Sequence, residues 1–188
     1  MKDFISISDC TAPELRHMLD VAAHLKGQYR ATGRNEPILA GKTLAMIFEK
    51  PSLRTRVSFS VAMNHLGGSA LMLRNEEVGL DVREPAQDVA RVLSGMCSGI
   101  MARTFEHEKI VKLAKHATVP VINGLTDYSH PCQAMADLMT VEEHFRSLFD
   151  DVFLVSGFEY ARVTSGAADP IFEPGRLRNR LRELIRAR

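Results

Sequence analysis

Two hydroxyls and two guanidiniums fall within five consecutive residues, the stretch Ser-Leu-Arg-Thr-Arg at positions 52–56. The apolar run at residues 44–48 predicts a buried strand before it. Apolar residues at helical spacing predict a helix after it: Phe59, Ala62, Met63 and Leu66. Backbone N–H groups are free at a helix start, and the helix dipole is positive there. Together with the hydroxyls and guanidiniums, these groups favour a site for a phosphate dianion.

A simpler interpretation of this stretch is that Ser52 only caps the helix and the arginines lie in solvent. Basic charge at a helix N-terminus opposes the dipole, however. A bound anion would remove that conflict, so the phosphate site is the preferred interpretation.

Two further groups of polar residues stand at or near predicted strand ends. Arg103 interrupts an otherwise apolar strand predicted over residues 100–105, and a buried arginine without a partner is costly. Its alternative role is a structural ion pair with an acid such as Glu49. His130 precedes Pro131 at a predicted helix start, where a capping or packed histidine is the alternative, and Gln133 follows it.

Helices and strands alternate along the chain. Strands are predicted at residues 44–48, 70–73, 100–105 and 119–122, and helices at residues 11–29 and 52–66, from residue 85, around residues 110–117 and from residue 131. This alternation predicts an α/β fold: a three-layer domain in which a four-stranded parallel sheet is flanked by helices. Ligands of such sheets bind off the carboxyl ends of the strands, so Ser52, Arg103 and His130 are expected to converge there.

Two details of these elements are specific enough to test. The helix from residue 85 is predicted to turn Val89, Ala90, Leu93 and Met96 inward, and the helix from residue 131 to turn Ala134, Leu138, Val141 and Phe145 inward. The charged stretch at residues 74–84 is predicted to be a mobile surface loop.

The motif F-E-K-P-S-x-R-T-R after a strand resembles the carbamoyl-phosphate loop of the aspartate/ornithine carbamoyltransferase family, whose usual form is S-T-R-T-R. The stretches Met-Ala-Arg-Thr at residues 101–104 and His-Pro-Cys-Gln at residues 130–133 match the family in order and at suitable distances. The likeness runs from about residue 3 to about residue 146. Lys50, the Asn-Gly-Leu at residues 123–125 and the D-V-A-R-V-L-S at residues 88–94 resemble the ornithine branch.

This resemblance implies roles for the site residues. Ser52, Arg54 and Thr55, with the backbone of Leu53, would bind the phosphate of carbamoyl phosphate, and Arg103 would bridge phosphate and carbamoyl oxygen. His130 and Gln133 would hold the carbamoyl group, with neutral His130 donating to the developing oxyanion. The acceptor would be the side-chain amine of ornithine, giving citrulline in arginine biosynthesis. The resemblance implies no metal, no cofactor and a homotrimer.

The sequence departs from the family pattern in three places. Leu53 replaces a threonine, which removes a hydroxyl but no backbone donor. Glu77-Val78-Gly79 stands where the ornithine branch often has Q-L-G, so that contact with a neighbouring subunit is in doubt. The family's D-x-x-x-S-M-G and H-C-L-P stretches, which bind the amino acid, do not occur in this sequence.

Residues 147–188 carry no resemblance to the family and form an unassigned tail after a predicted carbamoyl-phosphate-binding domain at residues 1–146. Its last part, residues 176–188, predicts a basic helix, which could bind an acidic surface. Alternatively, truncation, a shifted reading frame or a fusion would each account for the tail. A carbamoyltransferase for another amine, or a non-catalytic protein that binds phosphate or only assembles, remains an alternative to the ornithine enzyme.

Composition narrows the class of protein. The chain has 188 residues, of which 45% are hydrophobic and 25% charged, with a net charge of +1. These values are typical of a globular protein with a substantial core, and they argue against nucleic-acid binding by bulk charge. No apolar run approaches membrane length, and Cys10, Cys97 and Cys132 show no metal or redox spacing. We therefore expect a cytoplasmic protein with no nucleic-acid or membrane partner. Cys132 is interpreted as a packing residue, because no base partner is evident.

Overall fold

The structure is a computed structural model, and it describes residues 1–145. The predicted tail, including the basic helix at residues 176–188, lies outside the described residues. The elements, in chain order, are a 3₁₀ turn at Ile7–Asp9, α1 at Ala12–Thr32, β1 at Thr43–Phe48, α2 at Leu53–His65, β2 at Ser69–Arg74, α3 at Asn75–Val78, α4 at Ala86–Met96, β3 at Gly99–Arg103, α5 at His107–His116, β4 at Val121–Leu125 and α6 at Pro131–Phe145.

The four strands form one parallel sheet in the order β2-β1-β3-β4. Phe48, at the end of β1, is in register with Arg103, at the end of β3. The chain therefore leaves β1 towards one edge of the sheet and leaves β3 towards the other. The predicted α/β fold with a four-stranded parallel sheet is confirmed.

The core lies on both faces of this sheet because successive strand residues point to opposite sides. One cluster contains Ala45 and Ile47 of β1, packed with buried residues of α4 and α5. The other contains Leu44, Met46 and Phe48 of the same strand, packed with Met63 of α2. Alternation along a single strand thus produces the three layers.

Helix α1 begins as predicted. The Thr11 backbone N–H donates to Glu14 Oε2 at 2.8 Å, and the Glu14 N–H donates to Thr11 Oγ1 at 3.4 Å, which is a reciprocal capping box. The helix runs three residues beyond the predicted end at residue 29 and stops at Gly33, whose φ of 71° is in the left-handed region that glycine adopts without strain. Among the described residues, no helix has the length and apolar character needed to cross a membrane.

The charged stretch at residues 74–84 differs from the predicted surface loop. It contains α3, and Val78 and Leu80 are buried in the core of the sheet domain. The Glu77 carboxylate accepts a hydrogen bond from the Arg74 N–H, which holds the acid at the start of its own short helix. Burial of these two apolar side chains is enough to pack the charged stretch against the core. The sequence pattern did not show which residues would be buried.

The prediction of which α4 residues point inward is confirmed except at the last residue of the helix. Val89, Ala90 and Leu93 are buried, but Met96 is 79% exposed. Met96 is the last residue of the helix, and Cys97 packs against the core in its place. On α6, Ala134 and Leu138 are buried and Val141 is half-buried, whereas the Phe145 side chain lies outside the described residues.

Strand ends also differ from the prediction. The third strand ends at Arg103, and Phe105 beyond it is 55% exposed. The fourth strand begins at Val121 and extends to Leu125, because pairing with β3 continues through a register shift between Ala102 and Arg103.

Candidate functional site at the carboxyl end of the sheet

The site lies where β1 and β3 end side by side. Because β1 leads to one edge of the sheet and β3 to the other, the connections that follow them diverge and leave a crevice between them. Such a switch point is where open α/β sheets bind their ligands. Ser52 follows β1 by four residues, and Arg103 is the last residue of β3.

Ser52 is the residue that caps α2, in an extended conformation with φ −155° and ψ 111°. Its hydroxyl oxygen accepts from the Thr55 N–H at 3.4 Å, and its O–H donates to Thr55 Oγ1 at 3.0 Å. Within the described residues, no acceptor faces the N–H groups of Leu53 and Arg54, which belong to the first helical turn. These donors suit an anion at the helix start. Leu53, with 78% exposure, contributes backbone only.

Arg103 joins this helix start to the fourth strand. Its Nη1 donates to Thr55 Oγ1 at 3.4 Å and to the Gly124 carbonyl at 3.5 Å. Its Nε is buried and has no hydrogen-bond partner within the described residues. Burial lowers the pKa of the Arg103 guanidinium below its usual range. A half-buried, charged group with an unused donor is the strongest indication of an anionic ligand here.

The suggested ion pair between Arg103 and Glu49 is wrong. Glu49 is almost fully buried, with 4% side-chain exposure, and its Oε1 lies 2.8 Å from Lys109 Nζ. Its other oxygen accepts from the Phe105 N–H at 2.9 Å. Glu49 thus ties the end of β1 to the start of α5. Lys50 also lies away from the helix start, with Nζ 4.4 Å from the Phe105 ring centroid.

His130 is the residue directly before α6. Its carbonyl accepts from the N–H groups of Gln133 and Ala134, so the capping role falls to the backbone. The imidazole Nδ1 is buried and has no hydrogen-bond partner within the described residues. Burial lowers the pKa of His130, and the positive charge of Arg103 lowers it further. These two effects outweigh that of the Asp137 carboxylate, which raises the pKa, so the neutral form of the ring is favoured and can take part in a hydrogen bond with a ligand.

Gln133 is exposed and does not join the other site residues in this conformation. Its Nε2 donates to Asp137 Oδ1 at 2.9 Å, one turn along α6. The structure therefore brings together Ser52, Thr55 and Arg103 by direct contact, places His130 within the field of Arg103, and leaves the Gln133 amide on a neighbouring acid.

Cys132 fits the packing role. Burial raises the pKa of its thiol to about 11, and Sγ donates to the Asn123 carbonyl at 3.4 Å. A thiol with that pKa is a poor nucleophile at neutral pH. No group of three or more His, Cys, Asp or Glu residues within the described part of the chain is arranged to hold a metal ion.

Sequence reasoning missed the structure that carries His130. Residues 126–129 form a tight turn: Thr126 N–H donates to the Ser129 carbonyl at 2.9 Å, and Ser129 N–H donates to Thr126 Oγ1 at 3.1 Å. His107 Nδ1 lies 2.9 Å from Thr126 Oγ1, and the buried Asn123 amide also contacts the turn. The only signal in the sequence was a run of polar residues directly after a strand.

Comparison with known proteins agrees with this geometry. The family model described as "Aspartate/ornithine carbamoyltransferase, carbamoyl-P binding domain" matches residues 2–143. The ornithine carbamoyltransferase of Carboxydothermus hydrogenoformans is 54% identical over 143 residues, which cover 76% of this chain and 46% of the relative. The chain spans about half the length of the relatives it matches.

Solved structures give the same result. The ornithine carbamoyltransferase of Pyrococcus furiosus is 52% identical with a TM-score of 0.73, covering 76% of this chain and 45% of that one. The enzyme of Thermus thermophilus is 47% identical with a TM-score of 0.69, covering 77% and 49%. An N-acetyl-L-ornithine transcarbamylase is 29% identical with a TM-score of 0.67, covering 77% and 48%. The chain therefore belongs to the aspartate/ornithine carbamoyltransferase family, through residues that match its carbamoyl-phosphate binding domain.

Proposed function

We propose that this chain is the carbamoyl-phosphate-binding half of an ornithine carbamoyltransferase. The observation that carries the proposal is two buried nitrogens, Arg103 Nε and His130 Nδ1, that have no hydrogen-bond partner within the described residues. Arg103 also contacts Thr55 in the first turn of α2. Buried polar atoms are nearly always paired, so these two nitrogens are expected to be satisfied by a ligand. A ligand with a dianionic end and a carbonyl end could form hydrogen bonds with both nitrogens.

The phosphate end of the ligand would lie at the start of α2. The N–H groups of Leu53 and Arg54 and the hydroxyls of Ser52 and Thr55 would supply donors, and the exposed Arg54 side chain would turn its guanidinium to the phosphate. The helix dipole adds positive potential at the same point. This part of the site is formed by four consecutive residues.

The carbamoyl end would lie between Arg103 and His130, with Gln133 turning from Asp137 to the carbamoyl group. The side-chain amine of the acceptor attacks the carbonyl carbon, a C–N bond forms, and the C–O bond to phosphate breaks. Negative charge develops on the carbonyl oxygen, where Arg103 and neutral His130 stabilise it. The leaving phosphate carries away the proton lost by the amine. These steps need no metal and no covalent enzyme intermediate.

Ornithine is the favoured acceptor because a relative named ornithine carbamoyltransferase is 54% identical to this chain, whereas two structures of N-acetyl-L-ornithine transcarbamylase are 29% and 30% identical. A carbamoyltransferase for a different amine is the alternative within the family. We also place the protein in the cytoplasm, which agrees with cysteines that are all free within the described residues.

Self-association as a homotrimer is part of the proposal. Leu53, Val57 and Val61 follow one another at four-residue spacing along α2 and are 78%, 49% and 43% exposed. Residues at this spacing form one stripe on a helix surface. This apolar stripe beside the site is the proposed contact between copies, and sedimentation equilibrium would measure the number of copies. A monomer at high concentration would contradict this part.

A non-catalytic protein that binds phosphate or carbamoyl phosphate is the second candidate. The observation in its favour is that the match covers about half of each relative. Holding two reactants in attack geometry can supply on the order of 7 to 11 kcal/mol of a barrier, and the residues of this site hold one reactant. We therefore expect the 188-residue chain alone to bind carbamoyl phosphate without useful turnover of ornithine.

The experiment combines binding with catalysis. Calorimetric titration would use phosphonoacetamide, in which a CH₂ group replaces the bridging oxygen of carbamoyl phosphate, with inorganic phosphate as the comparison. Citrulline formation from carbamoyl phosphate and ornithine would be assayed in parallel. Binding without citrulline supports the proposal for the chain alone, and saturable citrulline formation that is lost in His130→Ala would show that the chain is a complete enzyme. Absence of binding by both ligands would refute the proposed function.

A further inference from the structure

Asn123 is a fully buried amide in β4, and its side chain joins two segments that are distant in sequence. Its Nδ2 donates to the Ile5 carbonyl at 2.8 Å and to the Ser129 carbonyl at 3.3 Å. Its Oδ1 accepts from the Leu125 N–H at 3.0 Å, which holds the amide in one orientation. Every polar atom of the side chain is therefore used at 0% exposure.

The first segment is the N-terminus, which pairs with the free edge of β4. Phe4 N–H donates to the Val121 carbonyl, and Asn123 N–H donates to the Phe4 carbonyl, each at 2.8 Å. Asp3 Oδ1 accepts from the Val121 N–H at 2.9 Å. Residues 3–5 thus act as a further short strand fixed to the sheet, and they offer Asn123 a rigid acceptor.

The second segment is the turn at residues 126–129, which directly precedes His130. The turn closes on itself through Thr126 and Ser129, and His107 contacts it from α5. The hydrogen bond from Asn123 Nδ2 to the Ser129 carbonyl connects the turn to β4. Through the same nitrogen, which also donates to Ile5, the turn is connected to the N-terminal segment. His130 is joined to the end of this turn by the Ser129 peptide bond, so the position of the Ser129 carbonyl constrains the position of the His130 imidazole.

We propose that Asn123 is a positioning residue, whose amide couples the N-terminal strand at residues 3–5 to the turn at residues 126–129 and thereby sets the place of His130 at the carbamoyl end of the site. The role needs two N–H donors on one side-chain atom and an acceptor on the other. Aspartate lacks the donors, and leucine of similar size lacks all three groups.

The consequence for binding is specific, and it rests on the proposed function. The phosphate end of the site is built from residues 52–55 and does not contact Asn123, whereas the carbamoyl end depends on His130. Loss of the Asn123 amide should weaken binding of the carbamoyl group and spare binding of phosphate. A general loss of folding would weaken both.

The test measures the preference for phosphonoacetamide over inorganic phosphate in the full chain, by calorimetry, for the wild type and for Asn123→Leu. We expect the preference to fall roughly three- to tenfold, as for loss of one neutral hydrogen bond, with phosphate affinity retained. The matched control is Asn35→Leu, because Asn35 Nδ2 also donates twice, to the Leu25 carbonyl at 2.8 Å and to Gln28 Oε1 at 3.1 Å, away from the site. This control should keep the wild-type preference.

A second measurement is the titration of His130 by NMR, assigned by comparison with His130→Ala. In the wild type, burial and Arg103 hold the pKa of His130 below 6.5. In Asn123→Leu the released ring should titrate closer to 6.5, a change that a distant loss of stability would not produce. A folded Asn123→Leu variant with unchanged preference and unchanged His130 titration would overturn the proposal.

The test still decides the proposal if the variant does not fold or if the wild type binds neither ligand. If Asn123→Leu does not fold, Asp3→Ala replaces it, because it loosens the N-terminal strand at its bond to Val121; unchanged results in both measurements would again overturn the coupling. If the wild type binds neither ligand, the proposed function has failed, and the His130 titration in the variants still decides whether Asn123 positions the ring.

Discussion

The two ends of the proposed site are built differently. The phosphate end consists of neighbours in sequence, since Ser52, Leu53, Arg54 and Thr55 occupy one helix start. The carbamoyl end takes Arg103 from β3 and His130 from the connection after β4, and it is held by a turn, by Asn123 and by the N-terminal strand. A local motif needs only its helix to form, whereas an assembled site needs the whole sheet. The two ends should therefore respond differently to substitution.

The buried Lys109–Glu49 pair joins the end of β1 to α5, and its disruption should have the largest effect. Lys109→Met would leave Glu49 buried without its counter-ion, and loss of one partner of a buried pair costs about 3 to 5 kcal/mol. Urea denaturation would measure the free energy of unfolding. The double variant Glu49→Gln with Lys109→Met should recover much of the loss, and an equally unstable double variant would show that the charge is not the cause.

Arg103 is the residue that the two ends share, because it contacts Thr55 on one side and Gly124 on the other. Arg103→Met should weaken binding of both phosphate and phosphonoacetamide, by about 3 kcal/mol, as for loss of charge-assisted hydrogen bonds. Titration calorimetry would measure both affinities. Arg91→Met is the control, since Arg91 pairs with Asp88 on the outer face of α4. If Arg103→Met lost affinity for only one of the two ligands, Arg103 would belong to one end of the site and would not be shared.

Arg54 belongs to the phosphate end alone. Arg54→Ala should weaken phosphate and phosphonoacetamide equally, by roughly 1 to 3 kcal/mol, because both carry the same anionic group. The comparison of the two titrations is the measurement. Unchanged affinities in this variant would remove residues 52–55 as the anion site.

His130 should act on the other end. His130→Ala should leave phosphate affinity unchanged and weaken phosphonoacetamide by about 1 kcal/mol, the contribution of a neutral hydrogen bond. The same pair of titrations measures it. If His130→Ala and Arg54→Ala gave the same pattern, the division of the site into two ends would be wrong.

The smallest expected effect is a dependence of stability on pH. Burial lowers the pKa of His107 below 6.5, while Asp127 and Asp9 oppose the shift. The folded state thus binds fewer protons than the unfolded state, so the stability is present above pH 6.5 and is lost as the pH falls below it. Urea denaturation between pH 7.5 and 5.5 would show the decline. His107→Asn keeps a hydrogen-bonding group beside Thr126 without titrating, and it should make the decline less steep. The part that remains is expected from His130, whose pKa is also lowered in the folded protein.

The fold was predictable because its signals are repeated along the chain. Apolar strands and amphipathic helices alternate, and the errors at residues 74–84 and at the end of α4 fell where one or two side chains decided the outcome. Val78 and Leu80 folded residues 74–84 against the core, and Cys97 replaced Met96 at the end of α4. Hydrophobic periodicity describes an element as a whole, so it cannot show which end residue packs.

The sequence by itself was enough to propose the phosphate end of the site, since a strand, a capping serine and donors in one helical turn lie within a few residues of each other. It also placed Arg103 and His130 near strand ends. Only the tertiary structure decided that Glu49 pairs with Lys109, which leaves Arg103 for Thr55 and a ligand, and that Asn123 joins residues 3–5 to the turn before His130. These contacts join positions up to 118 residues apart, and the order of strands in the sheet, which brings them together, is a property of the packed chain.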